Sequence, residues 1–279
     1  MGKRFFKHLS IILLFPLMSC NQGPASESLK VKKSDGLIFH TLSTRGCCDV
    51  TADFSVGYDT PVDIVVPRYS SYGELVRSVH DFVGNIGSLT VPEVVAGIYL
   101  EDSSVRNLII QDGSHPKYVQ AKENEKLESI HFSSTMTAIS PEAFSGCKNL
   151  KRVEFPENLR WIGYRAFISC TSLASIETNA GVIGERAFMG CENLSEVLLK
   201  NGVTEIHDEA FYDSSCQSVF IPKTVEKIGK QAFSGNAGVM IYCEADEKPD
   251  GWDDTWCNGS SSVRWGVTET EYRNGKGEK

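Results

Sequence analysis

An Ala-Phe pair recurs at a nearly constant interval through the second half of the chain. Successive phenylalanines are separated by 23, 21, 23 and 22 residues. The pairs are Ala143-Phe144, Ala166-Phe167, Ala187-Phe188, Ala210-Phe211 and Ala232-Phe233. An interval of that length, repeated over several copies, is typical of a solenoid in which each copy adds one turn.

A second pattern precedes the pairs. The copies read Leu127-x-x-Ile130-x-Phe132, Leu150-x-x-Val153-x-Phe155, Leu173-x-x-Ile176-x-Thr178 and Leu194-x-x-Val197-x-Leu199. Alternation at period two points the fourth and sixth positions into the core and the third and fifth to solvent. This is the strand of a leucine-rich repeat. The pattern therefore predicts a leucine-rich-repeat solenoid, a right-handed α/β superhelix with a mostly parallel β-sheet and short helical or irregular returns.

No single copy can bury its strand and its phenylalanine alone, so stacked neighbours must share one core. The strand pattern predicts about nine parallel strands. Their central inward residues are Ile64, Leu89, Leu108, Ile130, Val153, Ile176, Val197, Val219 and Ile241. We also expect Phe144, Phe167, Phe188, Phe211 and Phe233 to form one buried column.

The repeated residues resemble those of a known family. The run Ile162-Gly-Tyr-Arg-Ala-Phe-Ile-Ser-Cys-Thr-Ser-Leu173 resembles the I-G-x-x-A-F-x-x-C-x-x-L signature of BspA-like leucine-rich-repeat surface proteins of host-associated bacteria. The likeness extends over roughly residues 50–266 and is specific, because several spaced residues recur together. It departs at Ser214 and Cys216, where we interpret one repeat as slipped by one residue. The resemblance implies adhesion to host matrix proteins or to other cells.

The beginning of the chain predicts export. Residues 1–20 have a basic start and an apolar stretch that is too short to span a membrane, which is typical of a secretory signal. The sequence Leu17-Met-Ser-Cys20 resembles a bacterial lipobox, which implies acylation of Cys20. An ordinary cleaved signal is the alternative. Lipid on Cys20 would hold the protein to a membrane, predicted to be the outer membrane at the cell surface, through an anchor only.

The remaining segments have distinct compositions. Residues 21–35 are polar and predict a flexible tether, and residues 36–58 predict a β-hairpin that caps the solenoid. Residues 59–238 hold the repeats. Residues 239–266 break the pattern and predict a C-terminal cap in which Trp252, Trp256 and Trp265 cover the last core face. Residues 267–279 are charged and are expected to be loose.

The net charge and the motifs of the sequence limit the classes of function that we expect. The formal net charge is −8 at pH 7, and removal of a signal with three basic residues, Lys3, Arg4 and Lys7, changes it to −11. An acidic surface repels phosphate backbones, so nucleic acid is not an expected partner. The histidines lack metal-site spacing, the acidic residues of the cap lack the spacing of a calcium loop, and neither a phosphate-binding glycine loop nor a G-x-S-x-G motif is present. We therefore predict a non-enzymatic protein without cofactor, and a hydrolase is the weakest alternative.

Of the nine cysteines, Cys20 is the predicted lipidation site, and three others share a single position of the repeat. Cys147, Cys170 and Cys191 are predicted to be buried thiols that act as small hydrophobic residues, because parallel stacked side chains are poorly aimed for bonding. Cys243 and Cys257 both lie in the cap and could form a disulfide. The pairing of the adjacent Cys47 and Cys48 is left open.

The outward strand positions predict a surface for a protein or other macromolecular partner. Exposed apolar and aromatic side chains beside charged ones are typical of such sites. Coverage by cap loops, or an ordinary solvated sheet, is the alternative. The predicted partner-binding residues are Arg152, Glu154, Glu177, Glu196, Leu198, Phe220, Met240 and Tyr242. Adhesion is the first functional hypothesis, and a scaffold role in the bacterial envelope is the second.

Overall fold

The computed structural model describes residues 31–34, 37–41, 47–54, 61–70, 73, 75–114, 116–259 and 261–275. Within them the chain forms twenty-one β-strands, numbered in chain order, and one helix, α1 (Glu269–Gly275). No helix in these ranges is both long and apolar enough to cross a bilayer. The predicted signal and its lipidation site, Cys20, lie outside the described residues.

Ten parallel strands form one layer, which we call the strand face. Its first sheet contains β4 (Val62–Val65), β6 (Ile86–Val91), β8 (Val105–Ile110), β10 (Ser129–His131) and β12 (Arg152–Glu154). Its second sheet contains β14 (Ser175–Thr178), β16 (Glu196–Leu199), β18 (Ser218–Ile221), β20 (Met240–Cys243) and β21 (Ser262–Arg264). All nine predicted central residues are buried in the first nine of these strands, so the sequence prediction is confirmed. The tenth strand comes from the C-terminal cap.

A second layer closes each turn from the other side. One sheet contains β1 (Val31–Ser34), β2 (Leu37–Thr41), β3 (Cys47–Phe54), β5 (Leu75–Gly84), β7 (Gly97–Tyr99) and β9 (Tyr118–Gln120). The other contains the two-residue strands β11 (Ala138–Ile139), β13 (Trp161–Ile162), β15 (Val182–Ile183), β17 (Glu205–Ile206) and β19 (Lys227–Ile228). Strands β2 and β3 form the predicted antiparallel hairpin, and β1 adds a third strand within the predicted tether. The segment 21–35 is therefore not wholly a tether.

The returns between layers are turns and short strands, so of the predicted helical or irregular returns the described repeats have the irregular form. Each Ala-Phe pair is flanked by two residues with positive φ, one before the alanine and one two residues after the phenylalanine. These are Glu142, Arg165, Arg186, Glu209 and Gln231, followed respectively by Gly146, Ser169, Gly190, Asp213 and Gly235. Left-handed residues at that spacing interrupt a right-handed helix. The backbone bonds instead to the next turn, as in Phe167 N to the carbonyl of Ala187 at 2.8 Å.

The five repeat phenylalanines form the predicted column and are fully buried. Neighbouring rings from Phe144 to Phe233 are stacked with centroids 5.0–5.3 Å apart and planes within 13° of parallel. At its end, Trp256 meets Phe233 edge-on at 6.0 Å, and Trp252 donates from Nε1 to the carbonyl of Val225 at 3.1 Å. The tryptophans therefore cover the last core face, as predicted.

A ladder of short side chains runs beside the column. Cys147, Cys170 and Cys191 are fully buried, and each thiol donates to a carbonyl of the preceding turn at 2.9–3.2 Å. Burial raises the pKa of Cys147 and Cys191 to about 12, so these thiols remain protonated at neutral pH. Their predicted burial is confirmed. Each of these carbonyls also accepts a backbone N–H, so the thiol adds a second hydrogen bond to it.

The slipped repeat has a local explanation. Ser214 occupies the cysteine position and donates to the carbonyl of Phe188 at 2.6 Å. Cys216 then stands one residue early, in the buried place that leucine takes elsewhere. Asn236 closes the shortened turn, because its Oδ1 accepts from the backbone N–H groups of Ser214 and Cys216 at 2.9 and 3.0 Å.

Cys243 and Cys257 are unbonded thiols in this structure. Burial raises the pKa of Cys243 to about 12, and the nearby Cys257 adds to that shift. The disulfide stays a prediction.

Candidate partner-binding face

The outward side chains of the strand face form two rows in register. One row includes Ser129 opposite Arg152, and the other includes His131 opposite Glu154. The same registration continues in the second sheet, where Leu198 lies opposite Phe220. We call the part from β4 to β12 the open half and the part from β14 to β20 the covered half, because α1 lies on the second part only.

In the open half, a charged cluster lies at β10 and β12. His131 Nδ1 is 2.7 Å from Glu154 Oε2, and Arg152 places a guanidinium nitrogen 2.7 Å from Glu154 Oε1. The hydrogen bond from His131 is the main reason that the pKa of Glu154 lies below its usual value. Arg152 is 75% exposed, so its remaining donors are accessible to a partner.

In the covered half, the expected exposed apolar patch is buried. Leu198 is 3% exposed and Phe220 is 0% exposed. Tyr272 of α1 covers both, and its own exposure is only 3%. The expectation that residues 267–279 form a loose tail is therefore wrong for the helix, and the expected exposure of Leu198 and Phe220 is wrong for the same reason.

Helix α1 begins with a capping box that the sequence analysis missed. Thr268 N donates to Glu271 Oε2 at 2.8 Å, and Glu271 N donates back to Thr268 Oγ1 at 3.3 Å. A threonine followed three residues later by glutamate is a helix-start signal, and here it directly precedes the only buried residue of α1. Arg273 also pairs with Glu269 one turn earlier at 2.8 Å.

Tyr272 makes contacts through both its ring and its hydroxyl group. Its ring centroid is 5.3 Å from that of Phe220 and 5.1 Å from that of Tyr242. Its hydroxyl oxygen is 3.0 Å from Ser218 Oγ. The predicted site residues Leu198, Phe220 and Tyr242 are thus brought together as expected, but around a side chain from the same chain.

Charged groups lie at the edge of this contact. Glu177 Oε1 accepts from Lys200 Nζ at 2.5 Å and from the guanidinium of Arg273 at 3.1 Å. The hydrogen bond from Lys200 is the main cause that lowers the pKa of Glu177 below its usual value, and Arg273 acts in the same direction. Of the other predicted residues, Glu196 and Met240 are half-buried on β16 and β20.

A separate cleft of about 550 Å³ lies between the second layer and the C-terminal cap. Glu205 accepts from Lys227 Nζ at 3.1 Å and lies 3.4 Å from His207 Nε2 at one wall. Asp250 and Asp253 reach the cleft from the cap, and no repeat pattern predicted them there. Among the described residues, no group of three or more His, Cys, Asp or Glu side chains is placed to hold a metal ion.

The stacked parallel strands, the phenylalanine column and the terminal caps define a leucine-rich-repeat solenoid, a fold that is compatible with protein binding. Residues 119–239 match the sequence model "BspA type Leucine rich repeat region" in six copies. The resemblance seen in the sequence is therefore confirmed, and residues 119–239 are a BspA-type leucine-rich-repeat region. No curated protein sequence matches it significantly.

Solved structures of bacterial leucine-rich-repeat proteins are similar to this chain. A leucine rich cell surface protein from Faecalibacterium prausnitzii A2-165 is 21% identical, with 83% of this chain and 58% of that chain covered and a TM-score of 0.48. A leucine-rich-repeat protein of T. pallidum is 20% identical, with coverages of 89% and 95% and a TM-score of 0.40. The pneumococcal vaccine antigen PcpA is 15% identical, with coverages of 88% and 90% and a TM-score of 0.34. This chain thus spans little more than half of the first of these proteins, and these likenesses assign it neither partner nor activity.

Proposed function

We propose that this chain is a non-enzymatic bacterial surface protein that binds proteins or other macromolecules through its strand face, in adhesion to host matrix or to other cells. The observation that carries the proposal is the open half, where registered rows of outward side chains cross five parallel strands without any segment of the described chain lying over them. Extended faces of this kind are the binding surfaces of solenoid proteins.

The anchor belongs to the same proposal. The basic start, the short apolar stretch and Leu17-Met-Ser-Cys20 support lipidation at Cys20, and the lipid would hold the solenoid at the outer surface. Replacement of Cys20 by serine should move the protein from the membrane fraction of the producing cells to the soluble fraction or to the medium. Unchanged fractionation would contradict the lipid anchor and would leave the binding proposal intact.

Binding is tested by the adherence of cells that display the protein to a panel of immobilised extracellular-matrix proteins. The test variant exchanges the charges of one exposed pair on the open half, Arg152→Glu with Glu154→Lys, and keeps the net charge constant. Charge complementarity at an interface governs the rate and specificity of association, so we expect adherence to fall about tenfold or more.

The matched control makes the same exchange on the second layer, Lys227→Glu with Glu205→Lys. Lys227 is exposed and Glu205 is half-buried; they are joined by an ion pair at 3.1 Å, and they lie on the opposite layer. Adherence should be retained in the control. Equal adherence of both variants and the wild type would overturn the role of the open half, and capture of envelope proteins without any matrix binding would favour the scaffold hypothesis.

A further inference from the structure

Helix α1 rests on the strand face as a bound segment would. Its single buried residue, Tyr272, enters a site whose walls are side chains of the sheet, and its neighbour Arg273 reaches a carboxylate at the edge of that site. We call this the tyrosine site. It consists of Glu177 on β14, Leu198 on β16, Ser218 and Phe220 on β18, and Tyr242 on β20.

The site is part of the sheet, whereas its occupant is not part of the solenoid core. Leu198, Phe220 and Tyr272 form a small apolar cluster separate from the continuous core of the repeats. Strands β16 and β18 are held by Val197, Val219 and the ladder bonds between turns, none of which involves α1. Removal of the helix should therefore leave the walls of the site in place.

Helix α1 itself is weakly held. It has seven residues, and isolated helices shorter than about 12 residues are marginal in water. Its ion pair to Glu177 joins two side chains that are 46% and 47% exposed, and exposed pairs contribute little. One tyrosine and one half-exposed arginine thus account for most of the contact.

The site differs from the three strands that directly precede it. The corresponding outward positions of β10, β12 and β14 carry His131, Glu154 and Glu177, whereas β16 and β18 carry leucine and phenylalanine. Outward apolar residues on a sheet are typical of a contact surface.

We propose that the tyrosine site is a docking site for a segment of a partner protein that presents an aromatic side chain followed by a basic one, and that α1 occupies the site until such a segment displaces it. The apolar walls accept the ring, Ser218 hydrogen-bonds a phenolic hydroxyl, and Glu177 pairs with the basic group. This inference rests on the proposed binding function and deepens it, because it states which chemistry the covered half recognises.

The first test uses full-length protein and a dye-labelled synthetic peptide with the sequence of residues 266–275. Titration followed by fluorescence anisotropy compares the wild type with the variant Tyr272→Ser, Arg273→Ser, in which the resident segment has lost both anchors. A site that is free in a larger fraction of molecules binds more tightly in proportion, so the apparent affinity should rise about tenfold or more in the variant. A matched thermal unfolding scan verifies that the variant is folded.

Specificity is tested with two altered peptides and one altered protein. We call the Tyr272→Ser, Arg273→Ser protein the open variant, because its tyrosine site has lost the resident side chains. Peptides with alanine in place of the tyrosine, or glutamate in place of the arginine, should lose most of their binding to the open variant. Addition of Glu177→Lys to that variant should weaken the parent peptide and favour the glutamate peptide. Equal binding to wild type and open variant, or indifference to the tyrosine, would overturn the proposal.

A random peptide library displayed on phage, panned on the open variant, identifies the preferred partner chemistry. Enrichment of an aromatic residue followed by arginine or lysine, absent when the wild type is the target, supports the proposal.

If the open variant instead forms dimers by size-exclusion chromatography and no peptide is enriched, a second copy of this chain is the occupant and the proposal of a foreign segment is overturned. If these peptide experiments give no binding while the Arg152→Glu, Glu154→Lys variant still loses adherence, the docking site alone is refuted and the proposed function is retained.

Discussion

The open and covered halves of the strand face share one architecture and differ in what lies on them. Both consist of parallel strands whose inward residues enter the same core, and both place outward side chains in register. The open half carries charged residues such as Arg152 and Glu154, which water can solvate, whereas the covered half carries Leu198 and Phe220. Leu198 and Phe220 are large and apolar, so their exposure to water would be unfavourable, and α1 covers them.

A substitution in the core that both halves share should cause the largest loss of stability. Phe188→Ala removes the middle ring of the column, which stacks on Phe167 and Phe211 at 5.3 and 5.2 Å. A buried phenylalanine truncated to alanine costs about 3–5 kcal/mol, and neighbouring turns lose their partner. Denaturant unfolding should show that loss, and hydrogen exchange should show lower protection in both halves together.

The neighbouring ladder offers the control for this variant. Cys191→Ser keeps a donor to the carbonyl of Phe167, and serine already performs that function at Ser214. Its loss of stability should be well below that of Phe188→Ala. If Phe188→Ala lowered protection in the covered half alone, the two halves would not share one cooperative core.

The second-largest expected effect is confined to the covered half of the strand face. Tyr272→Ala uncovers Leu198 and Phe220, and loss of one buried aromatic side chain corresponds to about 1.5–3 kcal/mol. Hydrogen exchange should rise in α1, and a dye that binds apolar surface should bind the variant, while amides of β8 and β10 remain protected. Thr270→Ala, on the exposed side of α1, is the control and should have little effect. Loss of protection in β8 and β10 would show that α1 supports the solenoid itself.

The ion pair between Arg273 of α1 and Glu177 of the strand face predicts a smaller effect. Arg273→Glu places a carboxylate beside Glu177, and the exposed ion pair that it replaces contributes about 1 kcal/mol or less. Helix α1 should therefore exchange its amide hydrogens faster while the unfolding transition of the solenoid is nearly unchanged. The double variant Glu177→Lys, Arg273→Glu should recover part of the protection, although Lys200 would then face a lysine. Failure to recover any protection would mean that the pair adds nothing to docking.

These differences show which parts of the molecule its sequence could predict. The recurring Ala-Phe pairs and the strand pattern predicted the phenylalanine column and all nine central strand residues, because solenoid contacts join equivalent positions of neighbouring repeats. The sequence left open whether the returns are helical or irregular, because left-handed conformations fall on residues such as Glu142 and Arg165, which give no sequence signal of positive φ as glycine does.

The cover of the strand face was missed for another reason. Tyr272 contacts Ser218, which lies 54 residues earlier and follows no repeat register, so periodicity could not connect them. The capping box at Thr268 and Glu271 could have predicted the helix, but not the place where it docks. The sequence analysis expected Leu198 and Phe220 to be exposed to a partner, and only its alternative, coverage by loops of the cap, anticipated that they are buried.

Acid should distinguish the two halves with the smallest effect, because the pKa values of Glu154 and Glu177 are both lowered but the two side chains have different neighbours. A carboxyl group whose folded pKa is depressed contributes stability above its usual value near 4.5, and that contribution disappears as the pH falls through the depressed value. Protonation of Glu177 removes its pairing with Lys200 and Arg273. Between pH 7 and pH 3, corrected exchange rates in α1 should therefore rise relative to the solenoid.

Protonation of Glu154 releases His131 and Arg152 to solvent but no other segment, so the open half should keep its protection over the same pH range. Glu177→Gln is the control for the covered half. It cannot ionise, so α1 in that variant should already exchange faster at pH 7 and should change less with acid. An equal pH response in the wild type and in Glu177→Gln would assign the acid sensitivity of α1 to other groups, of which the capping residue Glu271, whose pKa is also lowered by its bonds to Thr268, is the nearest.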